Sequence, residues 1–339
     1  MRRSRLAIFA AIAALALVIP LVAPKYIVYM FNVALIYALV GLGLNLLVGN
    51  LRIISIAHGG LFAVGSYVAG YLINTVSLSP WLAIVAATVA SVCVGLIVGL
   101  PAIRLNSLYL ALVTMAFGIL AQKLIVVFKS VTGGVDGMMF RSTIMKGDTN
   151  WYFFLVVVLV LAMLLTHNLL RSRIGRAFET IKHKETVAAA VGIDIVSYKV
   201  LGFAISSAYA GIAGALYGLY TGFIGPDTYG LWLAISFLTM VIVGGLGSVP
   251  GSTLGALFVT LVPLLVRGFQ GVGTLIYGMS MVITIMVFPG GLGGGLSRLI
   301  DLLTGAGERS IDARSLAWEA GQAPQPGANT KKEREVQKQ

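Results

Sequence analysis

An all-α, polytopic transmembrane helix bundle of about ten spans is the fold the sequence predicts. Three observations carry that reading. Hydrophobic residues fill 58% of the 339 positions and charged ones 11%, with a mean hydropathy of +0.95; an average soluble domain has roughly 25% charge. Apolar stretches of about 20 residues, enough to cross a bilayer, recur from Leu6 almost to Leu303. The basic residues fall between those stretches. The formal charge of +12 therefore reads as a topology signal rather than the basic face of a soluble nucleic-acid-binding module. Membrane lipid is the expected surrounding, and no nucleic-acid partner is expected.

The chain opens on Met1-Arg2-Arg3-Ser4-Arg5 and an apolar run to Val22, the pattern of a signal peptide's basic and apolar regions. The run is long, ends in Pro20 and Pro24 without a small-x-small cleavage site, and leads into more apolar segments. It is read as an uncleaved first helix near 6–23. Further spans are predicted near 27–48, 56–75, 81–100, 107–127, 151–170, 198–221, 231–247, 251–267 and 273–289. Gly244 to Gly251, between the eighth and ninth, reads either as a loop between two crossings or as the break of a re-entrant pair. Residues 1–304 form the expected transmembrane domain. Beyond Gly305 the sequence turns to Ala, Gly, Gln, Pro and charge, too poor in apolar residues to offset ordering entropy, so 305–339 is expected to be a flexible cytoplasmic tail.

Short Lys/Arg-rich connections stay in the cytoplasm. With Arg2, Arg3 and Arg5 inside, Arg52, Arg104 and the cluster Arg171, Arg173, Arg176, Lys182, Lys184 and Lys199 all fall on the same side. Both termini are then cytoplasmic.

Several features bear on function. None of the twelve Asp and Glu residues lies inside a predicted span, whereas ion-coupled carriers usually hold a proton or cation on an intramembrane carboxylate. Sodium held by backbone carbonyls at broken helices stays possible. The loop 171–199 is the longest hydrophilic stretch between spans. In it, Glu185-Thr186-Val187-Ala188-Ala189-Ala190-Val191-Gly192 combines helix formers with a glycine suited to a C-terminal cap. From the residues alone this is either a helix that docks into a partner's groove or an ordinary amphipathic surface helix. Glycines crowd residues 41–70 and 211–255, which suits close helix packing in lipid. Helix-breaking polar runs, Asn45 to His58 and Gly244 to Thr253, sit in both halves, a pointer to an internal repeat around a midplane path.

Cys93 lies in an apolar run and reads as a small core residue. His58 has no second ligand nearby, so it suits a hydrogen bond or a path lining better than a metal. The run Gly290 to Gly295 lacks the Lys-Ser/Thr of a phosphate loop. No Walker motif is present, so any ATP hydrolysis belongs to another polypeptide. Neither a catalytic set nor a metal or cofactor site is predicted for this chain.

Several stretches together resemble the permease subunits of branched-chain amino-acid ABC importers. They include Gly43-Leu44-Asn45-Leu46-Leu47-Val48-Gly49, Ser55 to Gly70, Pro101 to Gly118, Thr132 to Gly137, Ser172 to Phe178, Glu185 to Lys199, Phe223 to Asp227, Val243 to Ser248 and Phe288 to Leu292. The likeness covers roughly residues 30–295 and is nearer to the LivM-type subunit than to its LivH-type partner. It departs at His58-Gly59-Gly60 and in the tail, which leaves specificity open, because the family also includes urea and short-amide permeases. The resemblance implies an assembly with a second, LivH-type permease, two cytoplasmic ATPases carrying ATP and Mg, and a periplasmic solute-binding protein, in a bacterial inner membrane. It implies that Glu185–Gly192 couples to the ATPases. Asn45, Ser55, His58 and Thr114 are the candidate lining of the translocation path. An ion-coupled secondary carrier is the alternative, with a membrane enzyme behind it.

Overall fold

The computed structural model describes residues 20, 22–102, 107–266, 273–288 and 290–296. By contacts the chain divides into Ala14–Gly295 and a second unit of Met1–Ala13 with Leu296–Gln339; the first is described below. Nearly all of the expected first span, the tail 305–339 and Arg104 lie outside the described residues.

The helices are α1 (Lys25–Leu51), α2 (His58–Asn74), α3 (Pro80–Ala102), α4 (Ser107–Val127), the single turn α5 (Lys129–Thr132), α6 (Asp148–Arg171), α7 (Arg173–His183), α8 (Glu185–Ala190), α9 (Ile195–Thr221), α10 (Leu231–Gly244), α11 (Val249–Val266) and α12 (Gly273–Val287). Among the described residues, five of these are long and apolar enough to cross a membrane: α1, α3, α4, α6 and α9. The protein is an all-α membrane protein. Helices α2 and α10 have 17 and 14 residues, about 25 and 21 Å at 1.5 Å per residue, short of a hydrocarbon core of about 30 Å.

Long helices α1 and α9, 27 residues each, pack on one another. Helix α1 also packs on α11, α10 and α6, while α9 packs on α2 and α3. Apolar burial gives helices no drive to associate in lipid, so close approach and interhelical hydrogen bonds must hold them. Both are present. A methyl group on Gly43 would stand 2.7 Å from Tyr209 Cβ, and one on Gly65 2.8 Å from Gly211 Cα. Gly214, in the glycine-rich stretch 211–255, meets the α2 backbone at Phe62 and Ser66, while Gly218 faces Phe140. Where these backbones meet, Ser66 Oγ donates to Gly214 O at 2.7 Å. Gly65→Val forces α2 off α9; a fall in melting temperature of the detergent-solubilised protein of several degrees, about 2 kcal/mol, is expected.

Side chains on α3, α4 and α6 such as Val85, Val89, Leu112, Leu120, Val160 and Leu164 are exposed, as lipid-facing positions are. Cys93 belongs with them: it is exposed on α3, not a core residue as its apolar surroundings suggested. Helix α3 is apolar on every face, so its run could not reveal which side turns inward. At the far end of the helices from α7 and α8, Met138–Met139 (β1) pairs antiparallel with Phe223–Ile224 (β2), Met138 opposite Ile224. Asn74 anchors that patch, donating to Met139 O at 2.6 Å and accepting from Arg141 N at 3.0 Å.

Candidate functional site

Two stretches of non-helical backbone interrupt the bundle, and irregular backbone at membrane depth is tolerated only when buried in protein or lining a cavity. One is Gly245–Ser248, between α10 and α11. Its free N–H and C=O groups, the orphans of any helix end, are met by Asn45 on α1. The Asn45 amide donates to Ser248 O and to Ser252 Oγ, both at 2.8 Å, and its Oδ1 accepts from Gly247 N at 2.8 Å. The fit needs Gly49, whose Cα side lies against the Gly247 backbone. The glycine run Gly290–Gly295 packs on the same turn: Gly291 meets Gly245, and Gly293 meets Gly251.

The other interruption is residues 52–57, between α1 and α2. Ile53 N returns to Leu47 O at 3.0 Å. Ile56 N donates to Thr114 Oγ1 on α4 at 3.0 Å, and Ala57 N to Ser55 Oγ at 3.4 Å. His58, the first residue of α2, sets its Nε2 2.5 Å from Ser206 Oγ on α9. The four path candidates are all buried. Ser55, His58 and Thr114 gather around this segment, while Asn45 serves the other. Among the described residues no Asp, Glu, Lys or Arg is buried.

Sequence reasoning missed the partners Ser206, Ser248 and Ser252, and an aromatic cluster beside them. Phe62 lies 5.3 Å from Tyr217, 5.4 Å from Phe237 and 5.8 Å from Tyr229 between ring centroids. These rings come from α2, α9, α10 and the turn Pro226–Tyr229, which no local pattern links.

Outside the apolar spans, residues 172–199 fold into a platform. Ser172 opens α7 by accepting from Ile174 N at 3.1 Å, a favoured N-cap. Helix α7 buries Phe178 and Ile181 and leaves its basic face to solvent. Helix α8 follows, with Ala188 fully buried beneath it and Val187 and Val191 50% and 66% exposed. Gly192 adopts φ +79 and ends the helix: its N–H reaches Ala189 O and that of Ile193 reaches Ala188 O, both at 3.0 Å. This pair of bonds is the Schellman arrangement, which favours glycine at that position. A Cβ there would meet nothing within 4 Å, so the requirement is conformational. Glu185 ties the platform to α9 through Lys199 at 2.7 Å.

Asp194 caps α9. Its carboxylate accepts from Ser197 Oγ at 2.5 Å and from the amides of Ser197 and Val196 at 3.3 and 3.1 Å. The Ser197 hydroxyl bond, then those amides, hold its pKa below the usual aspartate value. A depressed folded pKa gives stability that is complete above the unfolded aspartate value and is lost as pH falls through the folded one. Hydrogen-exchange protection factors at Val196 and Ser197 should therefore hold down to the ordinary aspartate range, fall below it, and be small at neutral pH in Asp194→Ala.

A bundle joined by small residues and interhelical hydrogen bonds, with two buried backbone breaks and a helical platform beyond its apolar spans, is built as a polytopic membrane permease. The chain belongs to the family of branched-chain amino acid transport system permease components, which it matches over residues 26–288. It is 30% identical over 290 residues to the high-affinity branched-chain amino acid transport system permease protein LivM of Salmonella typhimurium, covering 77% of this chain and 68% of that one. Against LivM of Escherichia coli the figures are 29% over 311 residues, 83% and 73%. LivH of Escherichia coli is 26% identical over 279 residues, covering 76% and 90%. No solved structure matches the chain significantly. It is a transport component and not an enzyme.

Proposed function

We propose that this chain is the LivM-type permease of an ABC importer that moves branched-chain amino acids across a bacterial inner membrane. The observation that carries the reading is α8: a one-and-a-half-turn helix, outside the apolar spans, that with its C-cap presents Val187 and Val191 to solvent on a base anchored by Ala188, the Gly192 turn and the Glu185–Lys199 pair. Glu185–Gly192 is the coupling element, seated in a groove of a cytoplasmic ATPase. ATP and Mg act on that partner, and no cofactor binds here. A LivH-type permease, two ATPases and a periplasmic binding protein complete the assembly.

In this reading residues 1–304 are the permease domain with about ten spans, both termini are cytoplasmic, and 305–339 is a tail. The two halves form an inverted pair: α1 leads into α2 and α3 as α9 leads into α10 and α11, and each long helix packs on the other half's hairpin. Rocking of these groups alternates access to a path of hydroxyls and backbone dipoles. Asn45, Ser55, His58 and Thr114 belong to that path by holding its two non-helical segments.

Proteoliposome uptake tests it. Leucine should accumulate only when the ATPases, the second permease, the binding protein and ATP are all present. Uptake by this chain alone under an ion gradient would establish the secondary carrier instead, and urea or short amides in place of leucine would revise the solute.

A further inference from the structure

Between the platform and the helix ends lies a cavity of about 270 Å³ with a mostly polar wall. It is formed by the end of α1, Leu110 of α4, the end of α7, and the starts of α8 and α9. Four Lys and Arg residues line it, Arg52, Lys182, Lys184 and Lys199, against one carboxylate, Glu185. That carboxylate already pairs with Lys199 at 2.7 Å, and Glu179 stands 3.9 Å from Lys182. The Lys199 and Lys182 side chains are only 14% and 26% exposed. Arg52 and Lys184 form no ion pair among the described residues, so two cations of the wall lack a counter-charge. An anion in the cavity would supply one.

Arg52 supplies a second, independent observation. It takes the left-handed conformation, φ 56 and ψ 30, to close α1 through its N–H to Leu47 O. That position normally belongs to glycine. The helix dipole favours a cation near a C-terminus, yet it does not call for one on the strained residue itself. Strain at a non-glycine residue is characteristic of functional sites, and here it places a guanidinium, the group that grips phosphate with a planar fork, in the cavity wall.

The cavity lies at the C-terminal end of α1 and the N-terminal ends of α4 and α9; with these helices spanning the membrane as proposed above, that is the level of lipid phosphates. We infer that it binds the phosphate of an anionic phospholipid headgroup, Arg52 forking the phosphate oxygens while Lys182 and Lys199 add charge. Assignment to the cytoplasmic leaflet rests on the orientation proposed above; the binding chemistry does not.

The test uses the full-length chain in neutral detergent, with retained lipid read by native mass spectrometry and stability by thermal unfolding. Dioleoylphosphatidylglycerol should bind and raise the melting temperature, with dioleoylphosphatidylcholine clearly weaker. Arg52→Gly and Lys182→Gln should each weaken phosphatidylglycerol about fivefold, as expected for one interfacial charge. Arg52→Gly should also raise the lipid-free melting temperature, because glycine relieves the backbone strain, so a lost lipid response cannot be mistaken for misfolding. Equal binding of the two lipids, or unchanged affinity in both variants, overturns the proposal. Full displacement of the lipid by inorganic phosphate overturns the lipid source. In a separate pull-down with the co-expressed ATPases, loss of association in these variants with lipid binding intact makes the cavity a protein contact, which also overturns it. Lipid is read on the chain without its partners, so this result stands apart from that of the uptake assay.

Discussion

Gly192→Pro is expected to abolish ATP-driven leucine uptake in the assembled transporter while leaving the spans folded. Proline fixes φ near −65° and has no N–H, whereas Gly192 needs φ +79 and donates to Ala189 O. Both the turn direction and the cap are lost, at about 3 kcal/mol or more. That cost falls on α8, a helix of six residues too short to persist without its cap and its base. At 1.4 kcal/mol per factor of ten, the docking-competent form drops roughly 100-fold. A Cβ at the position meets nothing within 4 Å, so the lesion stays local. Gly192→Ala adds the left-handed strain of about 1–2 kcal/mol without removing the N–H, and should retain partial uptake. The measurement pairs uptake rate with thermal unfolding: a large fall in the first and a small one in the second.

Asn45→Leu should act on the opposite pair of quantities, lowering the stability of the purified chain first and uptake in consequence. The side chain makes three bonds to the α10–α11 turn. Ser248 O keeps the Ser252 amide at 3.2 Å, but Gly247 N–H, held at φ +81, has no helix neighbour to turn to. One orphaned donor costs about 1–3 kcal/mol and each further bond about 1, so the total is about 3–5 kcal/mol. Polar contacts within membranes often measure less, because side chains find other partners in the unfolded helices. A fixed turn has no such freedom, which places the expected loss toward the upper end. Asn45→Ala should behave alike in thermal unfolding; a melting temperature unchanged in both would show that the turn holds itself.

The predicted spans that fall on described residues correspond to helices, because runs of apolar residues broken by Gly, Pro and charge report membrane depth directly. Glu185–Gly192 was legible as a helix for a related reason: helix formers followed by a glycine, which ends it at φ +79. Partner identity was not. Asn45 and Ser252 are 207 positions apart, and nothing near either names the other. His58 and Ser206 present the same case at 148. Nor could the inward faces of α3 be told from the outward ones, since apolar periodicity vanishes when lipid and core are equally apolar, and Cys93 was misplaced on that account. The shortness of α10 was hidden by Gly244 and Gly245, which extend its apolar run while ending its helix.

Site-directed cross-linking from α8 distinguishes a helix seated on an ATPase from an ordinary surface helix. With Cys93→Ser removing the one native thiol, Val191→Cys is placed at the exposed C-cap of α8 and treated with a short bifunctional reagent in membranes containing the co-expressed ATPases. A coupling helix yields a cross-link to an ATPase subunit that changes in yield when ATP is bound, and thiol labelling only from the cytoplasmic side. Labelling of Val191→Cys from the outside, or a full-yield cross-link to the binding protein in place of the ATPase, would contradict that role.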